Sequence, residues 1–360
     1  MEMPNALAHE YILRDVRPED IEDIVVLGSL LNTVNLPANK AELTEVVQKS
    51  DDSFGLSIAD HTKRSFLFGL ADSSDRVIGT AQAFAKHGTL DSPNIFFRVE
   101  VEERYSATLR KYFRHKVLRL IQNFDGLSEL GSLVLAPEYR STTQKLGRNL
   151  SYIRLLFMAM EPEFFAGGVI AELLPPLGEN FESALWNAIG RRFTGLPYYE
   201  ADILSRQNKE FIRTLFPTCE IYASLLPECA QEVIGEVGPK SQGARHLLTR
   251  IGFTYNNCID PFDGGPHFTA DNSQITLFKK VTHGVAKPDA HLPMDTMGLV
   301  AYYDHTKISG RRFRATMAPY VKDPATPRIS LHPRTFNALG LEPGARIALL
   351  DDKVLRGQDG

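Results

Sequence analysis

Residues 131–160 read GSLVLAPEYRSTTQKLGRNLSYIRLLFMAM. The first part, Gly131 to Leu135, is a short apolar run closed by Pro137, the pattern of a strand buried on both faces. The last part carries Leu146, Leu150, Ile153 and Phe157 at the i, i+4, i+7 and i+11 positions of an amphipathic helix. The loop between them holds Arg140, three hydroxyl residues and Lys145. AGGVIAELL (166–174) then reads as a second buried strand and FESALWNAIGRRF (181–193) as a helix. The order buried strand, helix, buried strand predicts a parallel strand pair joined by a right-handed crossover.

Upstream of this block, YILRDV reads as a strand, and Ile21, Ile24, Gly28 and Leu31 follow a Pro-Glu-Asp start at helical spacing. Asn39 is placed to cap a helix over AELTEVVQKS. RSFLFGLAD and RVIGTAQAFAKHG flank the polar turn SSD, the signature of an antiparallel hairpin, and NIFFRVEVEE is a third extended run. Downstream, KPDAHLPMD (287–295) has the Pro-rich polar texture of a linker. GLVAYYD, GRRFRATMA and ARIALLDD then read as strands, with a short helix at TFNAL and a turn at Pro343-Gly344. The expected organisation is an α/β (α+β) chain. Residues 1–285 form a mixed sheet flanked by helices, and residues 286–360 a small β-rich, barrel-like module.

Composition narrows the function. Apolar residues are 43% and charged residues 23% of the 360, with a net charge of -4, values ordinary for a soluble globular chain. The slight acidity and the lack of basic runs argue against a nucleic-acid partner. MEMPNALAHEY has no basic region leading into an apolar core, so no signal peptide is expected, and no stretch approaches the length of a membrane span. Cys219, Cys229 and Cys258 form no CxxC pair, and the ten His show no paired-ligand spacing. Neither a disulfide framework nor a metal site is expected, and a reducing cytoplasm fits best.

A strand running through a polar loop into a helix N-terminus is a ready anion site, because the first-turn N–H groups lack partners and the helix dipole is positive there. The loop-helix junction reads Gln144-Lys145-Leu146-Gly147-Arg148-Asn149. It resembles the Q/R-x-x-G-x-G/A signature with which GNAT-type acyltransferases hold the pyrophosphate of coenzyme A, departing from it at Asn149. A capped ordinary helix is the plainer alternative. The surrounding order, a strand meander before the motif and a strand after it that splays away, also resembles that fold. A GNAT-like mixed sheet is therefore expected, with an acyl-CoA as co-substrate and no permanently bound cofactor.

Longer stretches resemble one family of that clan, arginine N-succinyltransferase. The similar text is SELGSLVLAPEYR, RLLFMA, VIAELL, ALWNAIGRRF, IYASLLPECAQEVIGEV, GFTYNNCIDPFDGGP and SLHPRTFNALGLEPGARIALL, beginning near NLPANKAEL and covering nearly the whole chain. The resemblance implies direct transfer of succinyl from succinyl-CoA to the α-amine of L-arginine in arginine catabolism, without a covalent intermediate. It places succinyl-CoA against Leu133, with Val134 and Leu135 offering backbone groups and Lys145, Leu146, Gly147, Arg148 and Asn149 at the phosphates. It also implies a homo- or hetero-oligomer.

The resemblance further implies a histidine proton donor in a V-H-P sequence after an I-G-x-V turn. Here that text is Val237-Gly238-Pro239, within VIGEVGPKSQGAR, and Gly238 carries no proton. Three residues are candidate substitutes. His246 follows eight residues on, or is a surface helix residue; Glu172 is a base raised by burial, or a structural hydrogen-bonding group; Tyr152 on the motif helix reads more readily as packing. A histidine restored at Gly238 is expected to raise activity about 100-fold or more if the rest of the site survives. For a guanidinium, Asp260 and Asp263 in CIDPFDGGP offer carboxylates, although Gly264 and Gly265 beside them mark a tight turn. For the succinyl carboxylate, Arg191, Arg192 and Arg245 are the candidate cations, and Trp186 is a core or pocket-wall residue. Two rival readings follow from Gly238: an acyltransferase with another acyl-CoA or amine, and a catalytically silent CoA-binding regulatory or partner subunit.

Overall fold

The computed structural model describes residues 10–31, 36–37, 39–140, 142–179, 182–205, 208–307 and 310–357. The stretch 1–9 read for a leader, parts of NLPANKAEL and FESALWNAIGRRF, and Ser141 of the motif loop lie outside them. Fifteen strands occur among the described residues: β1 (Ile12–Asp15), β2 (Ser65–Ala71), β3 (Val77–Phe84), β4 (Asn94–Ser106), β5 (Lys111–Asn123), β6 (Ser128–Leu135), β7 (Gly168–Glu172), β8 (Ile221–Tyr222), β9 (Thr254–Ile259), β10 (Pro266–Asp271), β11 (Thr282–Pro288), β12 (Met297–Tyr303), β13 (Phe313–Lys322), β14 (Arg328–Leu331) and β15 (Arg346–Asp351). With the helices between them they make the expected mixed α/β chain. By contact density the chain divides into one compact unit of residues 1–85, 130–166 and 275–360, and a second of residues 86–129 and 167–274.

In the first unit, β1, β2 and β3 form an antiparallel meander with β6 beside β3. The hairpin turn is the expected one: Asp72 accepts from the Ser74 and Arg76 N–H groups, and Asp75 takes a positive φ of 60°. Asn39 caps helix Lys40–Phe54 as its position predicts, accepting from Ala41 and Glu42 N–H. That helix and Ile21–Leu31 bury Ile24, Leu27, Leu43 and Val47 with Leu67, Val77 and Val134. Phe54, Phe66, Phe68, Phe157 and Phe313 pack edge-on or stacked at 4.9–6.2 Å, so the motif helix Leu146–Met160 is anchored by its Phe157 in an aromatic core.

Residues 282–351 of this unit form a closed ring of strands. The order β12-β15-β11-β14-β13 returns to β12 through pairs from Met297↔Pro319 to Tyr303↔Phe313. Closure removes the edges that an open five-stranded sheet would present. Val300, Ala318, Ile329, Leu331, Phe336 and Leu349 fill the barrel, and the helix read at TFNAL runs Pro333–Leu339. The boundary expected at 285/286 falls inside β11, and β13 also pairs with β1, Leu13 facing Ala315.

The second unit orders its strands β7-β10-β9-β4-β5-β8. The first two residues of β6, Ser128 and Glu129, pair in parallel with Val169 and Ile170, the relation the motif predicts. The FESALWNAIGRRF helix breaks into Ala184–Ala188 and Gly190–Thr194. At the break, a Cβ on Gly190 would lie 2.3 Å from the Trp186 ring. Trp186 is fully buried, stacked on Phe262 at 4.9 Å and bonded through Nε1 to Leu196 O, which makes it a core residue. The β4–β5 hairpin is longer than the extended run at 94–103 suggests, because β5 is rich in Lys and Arg and lacks a buried stripe. No helix among the described residues is long and apolar enough to cross a membrane.

Barrel closure rests on close backbone approach at Gly298, where a Cβ would sit 2.5 Å from Leu349 Cδ1 and 2.9 Å from Leu350 O. Gly298→Val is expected to destabilise the protein by ~1–3 kcal/mol, read as a lower midpoint in urea unfolding with an unchanged slope.

Candidate active site

In the first unit the motif strand is not a regular ribbon. Ser132 in the middle of β6 has φ 50°, a left-handed conformation that a side chain occupies at a cost of order 1–3 kcal/mol. Its neighbours hold it there: Thr80 Oγ1 donates to Ser132 O at 3.1 Å, and Ser132 Oγ donates to Gln82 Oε1 at 2.8 Å. These groups are buried, so the conformation is fixed by satisfied polar contacts. A left-handed residue within a strand re-aims the backbone groups that follow it, here those of half-buried Leu133 and buried Val134 and Leu135. Arg140 Nε takes the Leu135 carbonyl at 2.8 Å.

Beyond the loop, Lys145 turns left-handed (φ 54°) to start helix Leu146–Met160, and no side chain caps its first-turn N–H groups. A Cβ built on Gly147 would touch only Leu135 Cδ2 at 3.7 Å. The fold itself therefore does not require glycine there, and the space it leaves is open to a phosphate. Lys145 is exposed, Leu146 is buried, and the Arg148 guanidinium is already engaged by Asp352 at 2.9 Å and by Asn149 Oδ1. Asn149, the departure from the small-residue position, is buried and ties its Nδ2 to Gln144 O at 3.2 Å. Tyr152 is fully buried in packing.

Two and a half turns along the same helix, Arg154 is 3% exposed. Nε donates to Ser151 O at 3.0 Å, Nη2 to Ser151 Oγ at 2.9 Å and Nη1 to Gly131 O at 3.2 Å. Burial alone pulls the guanidinium down to about 9, so it remains a cation at neutral pH.

In the second unit, antiparallel pairing of β7 with β10 sets Glu172 opposite His267. Glu172 Oε1 lies 3.3 Å from His267 Nε2 and 3.6 Å from His87 Nε2, and His87 Nδ1 is 2.7 Å from Glu129 Oε2. Neither Nε2 makes a hydrogen bond, although both atoms are buried. Burial disfavours the His87 cation, but Glu129 and then Glu172 outweigh it and hold the imidazole up to about 9. For His267 burial prevails over the pull of Glu172 and its pKa is lowered. Glu172 does not behave as the sequence predicts. Burial would raise it, yet the charges of His267 and His87 hold the carboxylate below its usual value.

Asp260 and Asp263 are two further carboxylates that feel the charge of Glu172. Asp260 Oδ1 accepts from Phe262 N (2.7 Å) and Asp263 N (3.2 Å), Asp263 Oδ1 accepts from Gly265 N (2.7 Å), and Gly264 has φ 85°. The tight turn is therefore real, and one oxygen of each carboxylate builds it. Burial, then Glu172, pushes Asp260 up to about 7; burial, then Asp260, pushes Asp263 well above the usual range. Tyr198 is raised by burial and by the charges of Asp263, Asp202 and Asp260.

Other sequence candidates lie elsewhere. His246 and Arg245 are exposed on helix Gln242–Arg250, and Arg191 and Arg192 are exposed on helix Gly190–Thr194. His246 thus stands as a surface helix residue. Gly238 is packed closely against main chain. Its N–H donates to Leu174 O at 2.9 Å, and a Cβ there would lie 2.4 Å from Pro175 O. The main chain fills the space a side chain would need, so a histidine has no place at this position. Sequence reasoning missed His87, His267 and Glu129. His267 follows the Gly264-Gly265-Pro266 turn, but only the β7–β10 register reveals its partner.

The chain is similar to known proteins over most of its length. The family profile described as arginine N-succinyltransferase beta subunit matches residues 11–277. The arginine N-succinyltransferase subunit alpha of Pseudomonas aeruginosa is 32% identical over 94% of this chain and 99% of its own. An arginine N-succinyltransferase of Photorhabdus laumondii is 34% identical over 75% of this chain and 78% of its own. The solved arginine/ornithine succinyltransferase subunit AI of Pseudomonas aeruginosa superposes with a TM-score of 0.80 at 29% identity, covering 96% of this chain and 99% of the other.

The packing around Gly238 makes a direct prediction. Gly238→His is expected to gain no activity and to lower the thermal midpoint by the equivalent of ~1–3 kcal/mol, measured by calorimetry beside a turnover assay.

Proposed function

The chain belongs to the arginine N-succinyltransferase family, and on that premise we propose that it transfers succinyl from succinyl-CoA to the α-amine of L-arginine. The observation that carries this reading is the close set of half-buried Glu172 and His87 with buried His267, Glu172 Oε1 lying 3.3 Å from one imidazole and 3.6 Å from the other. Such a set receives an ammonium and takes a proton from it. Glu172 binds the α-ammonium, and neutral His267 accepts one proton. The freed amine nitrogen then forms the C–N bond at the thioester carbon, the C–S bond breaks, and the second amine proton leaves with the thiolate as CoA thiol. Glu172 stabilises the His267 imidazolium formed on the way.

Asp260 and Asp263 are assigned to the guanidinium. Their free-protein environment disfavours the ionised form, and a bound cation would restore it. The acyl-CoA is assigned to the first unit, with Lys145, the N–H groups of Leu146 and Gly147, and the first turn through Arg148 and Asn149 at the phosphates. The backbone of Leu133 to Leu135 lies along the pantetheine, and an N–H of β6 faces the oxyanion. No catalytic role is assigned to His246, and none in recognition to Arg191 and Arg245, which are exposed. The enzyme is read as cytoplasmic and as one subunit of a homo- or hetero-oligomer, the names of its relatives including a subunit alpha. Ornithine is the second acceptor, because the solved relative's name includes it and a buried carboxylate pair accepts an ammonium as well as a guanidinium.

Purified protein with succinyl-CoA and arginine should release free thiol in proportion to amide formed, with acetyl-CoA and ornithine as alternative substrates. Binding of CoA without turnover of any pair would leave the silent-subunit reading standing. His267→Gln should reduce kcat by ~100-fold or more with little change in KM for the acyl-CoA.

Asp260→Asn should weaken arginine binding while stabilising the protein at alkaline pH. The native pKa of about 7 lies above the ordinary 3.8, so stability from the protonated carboxyl is complete below pH 3.8 and is lost as pH rises through 7. The variant's thermal midpoint should therefore gain on the parent between pH 6 and 8 and match it more closely near pH 5.

A further inference from the structure

Arg154 presents a problem that packing does not solve. Its guanidinium is buried, charged, and without a carboxylate in reach among the described residues; its contacts are two oxygens of Ser151 and the carbonyl of Gly131. Three bonds leave two of its five N–H donors unused, one on each Nη. Elsewhere in this unit buried Arg14 is given its counter-ion, holding Asp20 through both Nη atoms at 2.8 and 2.9 Å, and even half-buried Arg148 holds Asp352. A buried cation with neutral partners alone is costly, and a structural tie between helix and strand needs no charge.

Its position supplies the missing element. Arg154 stands seven residues along the helix from Gly147, about 10 Å at 1.5 Å per residue, and bonds the residue immediately before left-handed Ser132 of β6. The same helix thus offers uncapped N–H groups at its start and an unneutralised guanidinium farther down, beside the strand where the acyl end of a CoA thioester is placed. We propose that Arg154 is the counter-ion for a carboxylate at the far end of the acyl group, and so selects dicarboxylic acyl-CoA donors over monocarboxylic ones. This rests on the acyl-CoA reading above and replaces the exposed Arg191 and Arg245 as the carboxylate's partner.

The test compares donors. With arginine as acceptor, kcat/KM for succinyl-CoA should exceed that for acetyl-CoA by at least ~100-fold, since a site built around a buried charged group discriminates against a donor that leaves it unpaired. Arg154→Met should collapse that ratio to within a few-fold of unity by losing succinyl-CoA activity alone, and Arg154→Lys should keep part of it. Equal loss with both donors, or an unchanged ratio, would overturn the proposal and leave Arg154 a structural tie. If Arg154→Met does not fold, the parent protein still decides: the methyl ester of succinyl-CoA, which keeps the length but not the charge, should fall to the acetyl-CoA level. A parent without turnover of any acyl-CoA would instead sink the enzyme reading. The ratio of dissociation constants for succinyl-CoA and acetyl-CoA, from titration calorimetry, would then judge Arg154 by itself, a ratio near one counting against it.

Discussion

Desolvated charge is the constraint around which both units are arranged. Removing an ion from water costs several kcal/mol unless partners replace the lost solvent, so each buried ionisable group must be neutralised, paired or given a ligand. Arg14 and Asp20 satisfy each other. In the second unit His87 takes two carboxylates, His267 is pushed by burial toward its neutral form, and Asp260 and Asp263 retain protons that exposed carboxylates would lose. Arg154 alone of these has only neutral oxygens for company. On the proposed reading, substrates of opposite charge settle what is unsettled in the free protein.

The fold was largely legible, and the reason is periodicity. The apolar run at 131–135, the helical spacing from Leu146 to Phe157 and the second apolar run at 166–174 depend on local burial pattern, and local pattern is what a sequence displays. Asn39 and the Asp72–Asp75 turn were readable for the same reason. The β5 strand was not, since its exposed, basic residues carry no alternation deep enough to mark it. Nor was the division of the contacts, because segments from three parts of the chain assemble the first unit.

The proposed site is legible in the sequence only where it is local. Lys145 to Asn149 form one turn of helix and could be found by spacing. His87, Glu129, Glu172 and His267 come from separate elements, and their meeting depends on strand register, which a single sequence does not state. Glu172 was found, but with the wrong sign of pKa shift: burial was visible in the apolar text around it, whereas the two imidazoles that reverse its effect were not. Gly238 reads in the sequence as a position without its proton donor; the Pro175 carbonyl standing 2.4 Å from where a Cβ would be is not visible there.

The pairing of β13 with β1 sets a schedule for synthesis. Asp15 accepts the backbone N–H of Phe313, 298 residues later in the chain. At about 5–20 residues per second a ribosome takes roughly 15–60 s to cover that interval. Throughout it β1 has β2 to pair with on one side and nothing on the other, an open strand edge in the nascent chain. The second unit, complete by residue 274, has all its residues before the barrel strands emerge. The first unit is therefore begun first and finished last, and its exposed edge is the stretch of this chain most in need of protection while it is being made.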